Sequence, residues 1–147
     1  MSQSPERRAV ARSLIDVMLE LESVYSAASR QLGLTAQQAQ LLCAVTESVS
    51  VGELATSLHC DRSNVTRLLD RMDGKNLLTR TPDDQDRRVT RISLTAQGEE
   101  RVARIKSGVE DRLTALLSGW PASRTAAALE VLEHLGRDLR GAQPAVH

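Results

Sequence analysis

Aromatic side chains are almost missing from this sequence, which has no Phe, one Tyr and one Trp among 147 residues. Modules that bind RNA or single-stranded DNA commonly stack the bases on aromatic rings. With Tyr25 and Trp120 as its only aromatic residues, the chain lacks such a stacking platform. Of the nucleic acids, the composition therefore favours double-stranded DNA as a partner.

An excess of positive charge is also missing, because 19 Lys and Arg residues balance 19 Asp and Glu residues. Residues 61–91 hold eight Lys and Arg residues against six acids, so the local excess is only two. A protein that binds DNA with this composition depends on individually placed arginines and not on a broad basic surface. We therefore expect modest non-specific affinity for DNA.

Long apolar runs and a disulfide framework are the remaining absences. No apolar run approaches the roughly 20 residues of a membrane-spanning helix, and no apolar signal segment follows residues 1–8. The two cysteines form no framework of the kind found in secreted domains. We therefore expect a cytoplasmic protein with no membrane partner.

The residues from Asp61 to Met72 predict an amphipathic helix. At 100° per residue, one side collects the apolar residues Val65, Leu68, Leu69 and Met72. The other side collects polar and cationic residues: Ser63, Asn64, Thr66, Arg67 and Arg71. Asp61 is expected to cap the helix, because its carboxylate can accept from free backbone N–H groups of the first turn. Such residues suit the major groove of DNA, although an ordinary solvated helix shows the same pattern.

The preceding segment favours the DNA-binding interpretation. Residues 50–58 predict a short helix that begins with a capping box between Ser50 and Glu53. A second capping box, between Thr35 and Gln38, predicts the start of the helix before it. Only two residues, His59 and Cys60, then separate the helix at residues 50–58 from Asp61. Two helices joined so closely form a helix-turn-helix.

The following segment predicts a β-hairpin. Residues 77–80 and 89–94 have strand patterns and flank a polar turn at residues 82–88. A hairpin with a charged tip directly after a helix-turn-helix is a wing. The predicted fold class is therefore mainly α with a small β-wing, that is, a winged helix-turn-helix.

These motifs together resemble the MarR family of winged-helix transcriptional regulators. Four segments carry the resemblance in this order and spacing: Gly52-Glu-Leu-Ala55, Val65-Thr-Arg-Leu-Leu-Asp-Arg71, Asp83-Asp-Gln-Asp-Arg-Arg88 and Leu94-Thr-Ala-Gln-Gly98. With the flanking helices, the resemblance spans nearly the whole chain. It implies a sequence-specific regulator of double-stranded DNA, a repressor that binds a pseudo-palindromic operator and is relieved by a small phenolic or aromatic-acid effector.

Both terminal regions carry apolar stripes with heptad-like spacing. The first stripe lies in a predicted helix at residues 4–31: Val10, Leu14, Val17, Leu21, Val24 and Ala28. Residues 96–140 hold further stripes, which end with Ala128, Leu132, Leu135 and Leu139. The first and last stripes are longer than a winged helix alone can bury, so we expect a homodimer. Within a single MarR-like chain, 1–147, the winged-helix part is expected at 35–95, flanked by dimerisation helices at 4–31 and 96–140.

The helix pattern and the resemblance point to one set of DNA-contacting residues: Arg62, Ser63, Asn64, Thr66, Arg67, Arg71, Asp86, Arg87 and Arg88. On the resemblance, Arg88 enters the minor groove and can pair with Asp61, while Asp86 orients the tip of the wing. The resemblance also implies an effector cleft, with Arg12, Tyr25 and His59 as candidate ligand-binding residues.

Other classes of function have less support. The sequence contains no glycine-rich phosphate loop, no G-x-S-x-G elbow and no H-E-x-x-H motif, so we expect neither an enzyme nor a cofactor. No metal site is predicted, because the neighbours His59 and Cys60 do not have a chelating spacing. Two alternatives stay open. One is a redox-sensing regulator, whose Cys60 thiol would lie just before a helix N-terminus. The other is a dimeric adaptor of the same fold that does not bind DNA.

Overall fold

A computed structural model describes residues 4–142 as six helices and three short strands. In chain order these are α1 (Pro5–Gln31), α2 (Ala36–Ala44), β1 (Ser48–Ser50), α3 (Val51–Ser57), α4 (Arg62–Met72), β2 (Leu78–Pro82), β3 (Thr90–Leu94), α5 (Ala96–Leu117) and α6 (Ala122–Ala142). The predicted class, mainly α with a small β-wing, is confirmed. No helix in the described part of the chain is both long enough and apolar enough to span a membrane.

The chain divides into two compact units at Val109. The first contains the winged helix, α1 and the first part of α5, and it holds the hydrophobic core. Leu41, Leu42, Leu54, Val65, Ile92 and Ile105 are its largest fully buried apolar side chains. These residues come from α2, α3, α4, β3 and α5, so the core fixes the helix-turn-helix against the sheet.

Two helices begin with the capping boxes that the sequence predicts. At α2, the Thr35 hydroxyl accepts from the Gln38 backbone N–H at 3.1 Å, and the Gln38 side chain accepts from the Thr35 N–H at 3.0 Å. At α3, Ser50 and Glu53 make the same reciprocal pair at 3.2 and 2.6 Å. Each box satisfies two backbone donors that the helix leaves free, so it sets where the helix begins.

The turn of the helix-turn-helix is a Schellman motif. The Cys60 N–H donates to the Ala55 carbonyl at 3.0 Å, and the His59 N–H donates to the Thr56 carbonyl at 3.2 Å. The motif needs a left-handed residue where His59 lies, and its φ is 51°. Glycine usually takes this position, so a histidine here keeps some backbone strain.

The sheet has the strand order β1-β3-β2, with both pairs antiparallel. Residues 77–80 and 89–94 were expected to form the wing strands, which lie instead at Leu78–Pro82 and Thr90–Leu94. The shift follows from the pairing, because the register aligns Leu78 with Leu94 and Pro82 with Thr90. The third strand, β1, was not predicted.

A close contact joins the wing to the start of α5. The Thr95 N–H donates to the Leu77 carbonyl at 3.0 Å, and the Thr95 hydroxyl caps α5 by accepting from the Gly98 N–H at 3.0 Å. A Cβ atom on Gly98 would lie 2.1 Å from the Leu77 carbonyl oxygen. Only glycine therefore allows α5 to begin this close to the hairpin.

The terminal helices expose much of their apolar surface. Between residues 10 and 21, α1 exposes six large apolar side chains: Val10, Ile15, Val17, Met18, Leu19 and Leu21. Burial increases towards its end, where Ala28 and Ser29 are buried. Considered by itself, α6 buries none of the residues Ala122–Ala142 and exposes Leu129, Val131, Leu132 and Leu139.

Candidate nucleic-acid interface

Helix α4 separates its residues into a core face and a solvent face, as the sequence predicts. Val65, Leu69 and Met72 are buried, and Leu68 is partly buried. All the α4 residues proposed to contact DNA are exposed: Arg62, Ser63, Asn64, Thr66, Arg67 and Arg71. The exposed face offers amide, hydroxyl and guanidinium groups, the types of group that read base edges and bind phosphates.

The start of α4 differs from the expectation in one respect. Asp61 lies at the N-cap position with extended backbone, but its side chain makes no capping hydrogen bond. The expected capping by its carboxylate is therefore wrong. The Asp61 carbonyl instead accepts from the N–H groups of Asn64 and Val65 at 3.0 and 3.2 Å.

The wing tip is ordered by two carboxylates that accept from the backbone. Asp83 Oδ1 accepts from the N–H groups of Gln85 and Asp86 at 2.8 and 3.1 Å. Asp86 Oδ1 accepts from the Arg88 N–H at 3.0 Å. Short acidic side chains that bind the N–H two residues ahead stabilise a tight turn. Asp86 therefore helps to shape the tip from which Arg87 and Arg88 project, both exposed.

Arg91 connects the wing to α3 and β1 through its side chain, and it was not among the predicted site residues. Its Nε donates to Asp83 Oδ2 at 2.7 Å, and its Nη1 donates to Glu53 Oε2 at 3.0 Å. Nη1 also reaches the carbonyl of Ser48 in β1 at 3.4 Å. One guanidinium thus connects the wing tip, the start of α3 and the edge of the sheet. Strand alternation, which puts Arg91 on the opposite face from Ile92, was the available signal for this role.

The same contacts shift the ionisation of the two carboxylates. The hydrogen bond from Arg91 and two backbone N–H donors lower the pKa of Asp83. The pKa of Glu53 is lowered chiefly by its hydrogen bond from the Ser50 backbone, with a smaller contribution from Arg91. Both carboxylates are therefore held in their charged form.

The expected pair between Arg88 and Asp61 does not form. Within residues 4–142, neither side chain takes part in an ion pair. The wing is held by Arg91 instead, and Arg88 lines a cavity that it shares with Arg62 and Thr66.

Ion pairing occupies more acids than cations of this segment, although it leaves the net charge of the segment at +2. Arg80 binds Asp70 and Asp73 at 3.2 and 2.8 Å, and Arg91 binds Asp83 and Glu53. Of the charged residues at 61–91, six cations and only three acids remain outside the described ion pairs. The excess among these unpaired groups is three, compared with two for the whole segment.

The candidate effector residues occupy three different environments. Arg12 is exposed on α1, and His59 is exposed in the turn before α4. Tyr25 is partly buried, and its hydroxyl donates to the Cys43 Sγ at 3.6 Å. Burial, followed by this hydrogen bond, raises the pKa of Tyr25 well above its ordinary value. Within the described residues no hydrogen bond joins Arg12, Tyr25 and His59, and their role in binding an effector stays a prediction. Cys60 is half-buried.

Comparisons with known proteins agree with this geometry. The MarR family model matches residues 34–90. The chain is 29% identical over 102 residues to the HTH-type transcriptional repressor MdtR of Bacillus subtilis. The matched region covers 63% of this chain and 66%, just under two thirds, of that repressor. A MarR family protein from Bacillus stearothermophilus has a similar fold, with a TM-score of 0.84 and 20% identity over 95% of this chain and 99% of that one. A MarR variant from E. coli, solved with operator DNA, gives a TM-score of 0.68 and 23% identity over 92% and 99% of the two chains.

Proposed function

Since the MarR family model matches residues 34–90 of this chain, we propose that the protein is a MarR-type transcriptional regulator, a homodimer that binds a pseudo-palindromic operator in double-stranded DNA. The observation that carries the proposal is the exposed face of α4, which displays polar and cationic groups beside a wing with two exposed arginines. In this arrangement α4 enters the major groove and the wing reaches the adjacent minor groove. The relative with operator DNA and the relative named as a repressor support the proposal.

In this proposal Arg67 is a base-contacting residue. Its side chain is exposed in the second turn of α4 and makes no ion pair within the described chain. The hydroxyl of the neighbouring Thr66 donates its proton to the Arg62 carbonyl at 2.9 Å. Towards DNA, this hydroxyl can therefore only accept a hydrogen bond. A bidentate contact from Arg67 to guanine would contribute about 1–3 kcal/mol of discrimination.

An electrophoretic mobility shift with the DNA upstream of the protein's own gene tests this role. Arg67→Ala is expected to weaken binding by about 5- to 150-fold, the equivalent of 1–3 kcal/mol. Arg112→Ala is the matched control, since it removes the same charge from an exposed position of α5. Equal affinities for the wild type and Arg67→Ala would remove Arg67 from the interface. A wild-type protein that shifts no DNA would favour the adaptor of the same fold.

The proposed dimer uses the exposed apolar residues of the terminal helices. Leu21 is 41% exposed although it lies in the apolar stripe of α1, and Leu132 of α6 is 60% exposed. Apolar stripes of this length are normally covered in solution, and a second copy of the chain covers them symmetrically. Two copies would then present their α4 helices to half-sites about one helical turn, roughly 34 Å, apart.

Light scattering at micromolar concentration tests the dimer. Leu21→Glu is expected to reduce both dimer content and folding, because an obligate dimer often has no stable folded monomer. Ser23→Glu places the same charge on an exposed position of α1 away from the stripe, and it should leave the mass unchanged. A monomeric wild-type protein would contradict the proposal.

We further propose that the regulator is a repressor, and that a small phenolic or aromatic-acid effector releases it from DNA. Tyr25 offers a partly buried phenol for stacking, while Arg12 and His59 offer groups that can bind a carboxylate. Titration of salicylate into the protein–DNA complex, followed by fluorescence anisotropy, tests this part. A complex that stays intact at millimolar salicylate would argue against this class of effector.

A further inference from the structure

Two arginines share a cleft between the recognition helix and the wing. The cleft has a volume of about 390 Å³, and it is bordered by the start of α3, the first turns of α4 and the tip end of the wing. Arg62 and Arg88 line it, together with hydroxyl groups of Ser50, Thr66 and Thr90.

Within residues 4–142, neither arginine has an ion-pair partner. Of the nearby acids, Glu53 binds Ser50 and Arg91, and Asp86 binds the backbone N–H of Arg88. Asp61 precedes Arg62 in the chain but does not line the cleft. Two guanidinium groups that line one cleft repel each other, and an anion between them would convert this repulsion into attraction. The charge of the cleft therefore favours an anion as its occupant.

Gly52 gives Arg62 the space to lie along this cleft. A Cβ atom at Gly52 would lie 2.9 Å from Nη2 of Arg62, so the guanidinium packs directly against the glycine. Glycine is unfavourable within a helix, and here it lies in the first turn of α3. A methyl group at this position would push the guanidinium out of its present position.

We propose that Arg62 and Arg88 together bind one phosphate of the DNA backbone. The inference rests on the proposed function, in which α4 lies in a major groove and the wing in the adjacent minor groove. The sugar-phosphate backbone is the boundary between these two grooves, so it passes over the junction of α4 and the wing. Arginine suits this partner, because its planar guanidinium donates paired hydrogen bonds to phosphate oxygens. A free phosphate ion offers the same chemistry and is the alternative source that the experiment separates.

The test uses the wild-type protein and a duplex that contains the sequence it protects in footprinting. Each phosphate in turn is replaced by an uncharged methylphosphonate, and the affinity of each duplex is measured by fluorescence anisotropy. The wild type is expected to lose about tenfold or more at one position between the two contacted grooves, as for other hydrogen bonds to a charged group. In both Arg62→Ala and Arg88→Ala, a methylphosphonate at the same position should change the affinity very little, since each variant already lacks one of the two arginines that bind this phosphate.

Arg87→Ala is the matched control, because it removes the neighbouring wing charge from outside the cleft. It should lower overall affinity and retain the loss at the shared phosphate. Gly52→Ala should reduce the loss at that phosphate without lowering the melting temperature, since it displaces only the flexible end of Arg62.

The outcomes separate this inference from the proposed function. Failure of the wild type to protect any DNA would overturn the proposed function, and the inference with it. If the wild type binds DNA but Arg62→Ala and Arg88→Ala remove the methylphosphonate effect at different positions, the shared phosphate contact is wrong and the proposed function stands. Inorganic phosphate provides the second arm, compared with chloride at equal ionic strength in a thermal shift assay. If phosphate stabilises the wild type but neither variant, and no shared DNA position exists, the site belongs to a free anion and the DNA assignment is wrong.

Discussion

The contact between Gly98 and Leu77 leads to a sharp prediction for Gly98→Ala. The new Cβ would lie 2.1 Å from the Leu77 carbonyl oxygen, about 1.3 Å short of the 3.4 Å at which ordinary contact begins. Both partners are backbone, so no side-chain rotation relieves the overlap. The start of α5 must move away from the hairpin, and this movement stretches the hydrogen bond from Thr95 N–H to the same carbonyl.

The size of the effect follows from three contributions. Overpacking costs about 1–3 kcal/mol, and the weakened backbone hydrogen bond costs about 1 kcal/mol. Alanine returns about 0.5–1 kcal/mol, because it is a better helix residue than glycine. We therefore expect the free energy of unfolding to fall by roughly 2 kcal/mol and the melting temperature to fall by about 4–8 °C.

Gly108→Ala is the control for this prediction. Gly108 lies in the same helix, but a Cβ there would meet only the Cβ of Ala28 at 3.9 Å, an ordinary contact. This variant should gain about 0.5–1 kcal/mol. Far-UV circular dichroism at equal protein concentration gives both melting temperatures. If Gly98→Ala melts at or above the wild-type temperature, the close approach of α5 to the hairpin is refuted.

Two further predictions concern the turn and the first helix of the helix-turn-helix. His59→Gly should raise the free energy of unfolding, measured in urea, by a few tenths to about 1 kcal/mol, because relief of the left-handed strain exceeds the added freedom of the unfolded chain. His59→Ala is the control and should not raise the free energy of unfolding in the same assay. Glu53→Gln should keep the capping box but lose the charge that binds Arg91. Because the folded pKa of Glu53 is lowered, its charge stabilises the fold above the unfolded pKa, and this contribution is lost as the pH falls through the folded pKa. The variant should therefore be less stable than the wild type at neutral pH in urea unfolding, and the difference should shrink below about pH 4. A difference that persists unchanged in acid would contradict the role of the charge.

Local patterns in the sequence were sufficient to predict much of the fold. The two faces of α4 follow from helical periodicity, and the capping boxes at Thr35 and Ser50 follow from residue types three positions apart. Such signals depend on neighbours within one turn, so tertiary structure has little influence on them. Strand β1 escaped prediction because three residues, Ser48–Ser50, are too few to show alternation.

Partners that lie far apart in sequence were harder to predict. Arg91 and Glu53 are separated by 38 positions. Nothing local indicates that Arg91 would bind Glu53 and Asp83 while Arg88 makes no ion pair within residues 4–142. The choice depends on which side of the hairpin faces α3, and only the folded sheet determines that. The same reasoning applies to Asp61, whose type favours capping although its side chain makes no capping bond.

The strand order β1-β3-β2 has a consequence for how the protein avoids unwanted assembly. Both outer strands are potential templates for a strand of another molecule, because an outer strand has one side without a neighbour. Here β1 is only three residues long, and β2 carries a charged residue, Arg80, and ends at Pro82, which has no N–H to donate. These features protect the sheet from edge-to-edge aggregation even when many copies gather at high local concentration. In the proposed dimer, self-association is therefore left to the helices, whose apolar stripes can be matched in only a few registers.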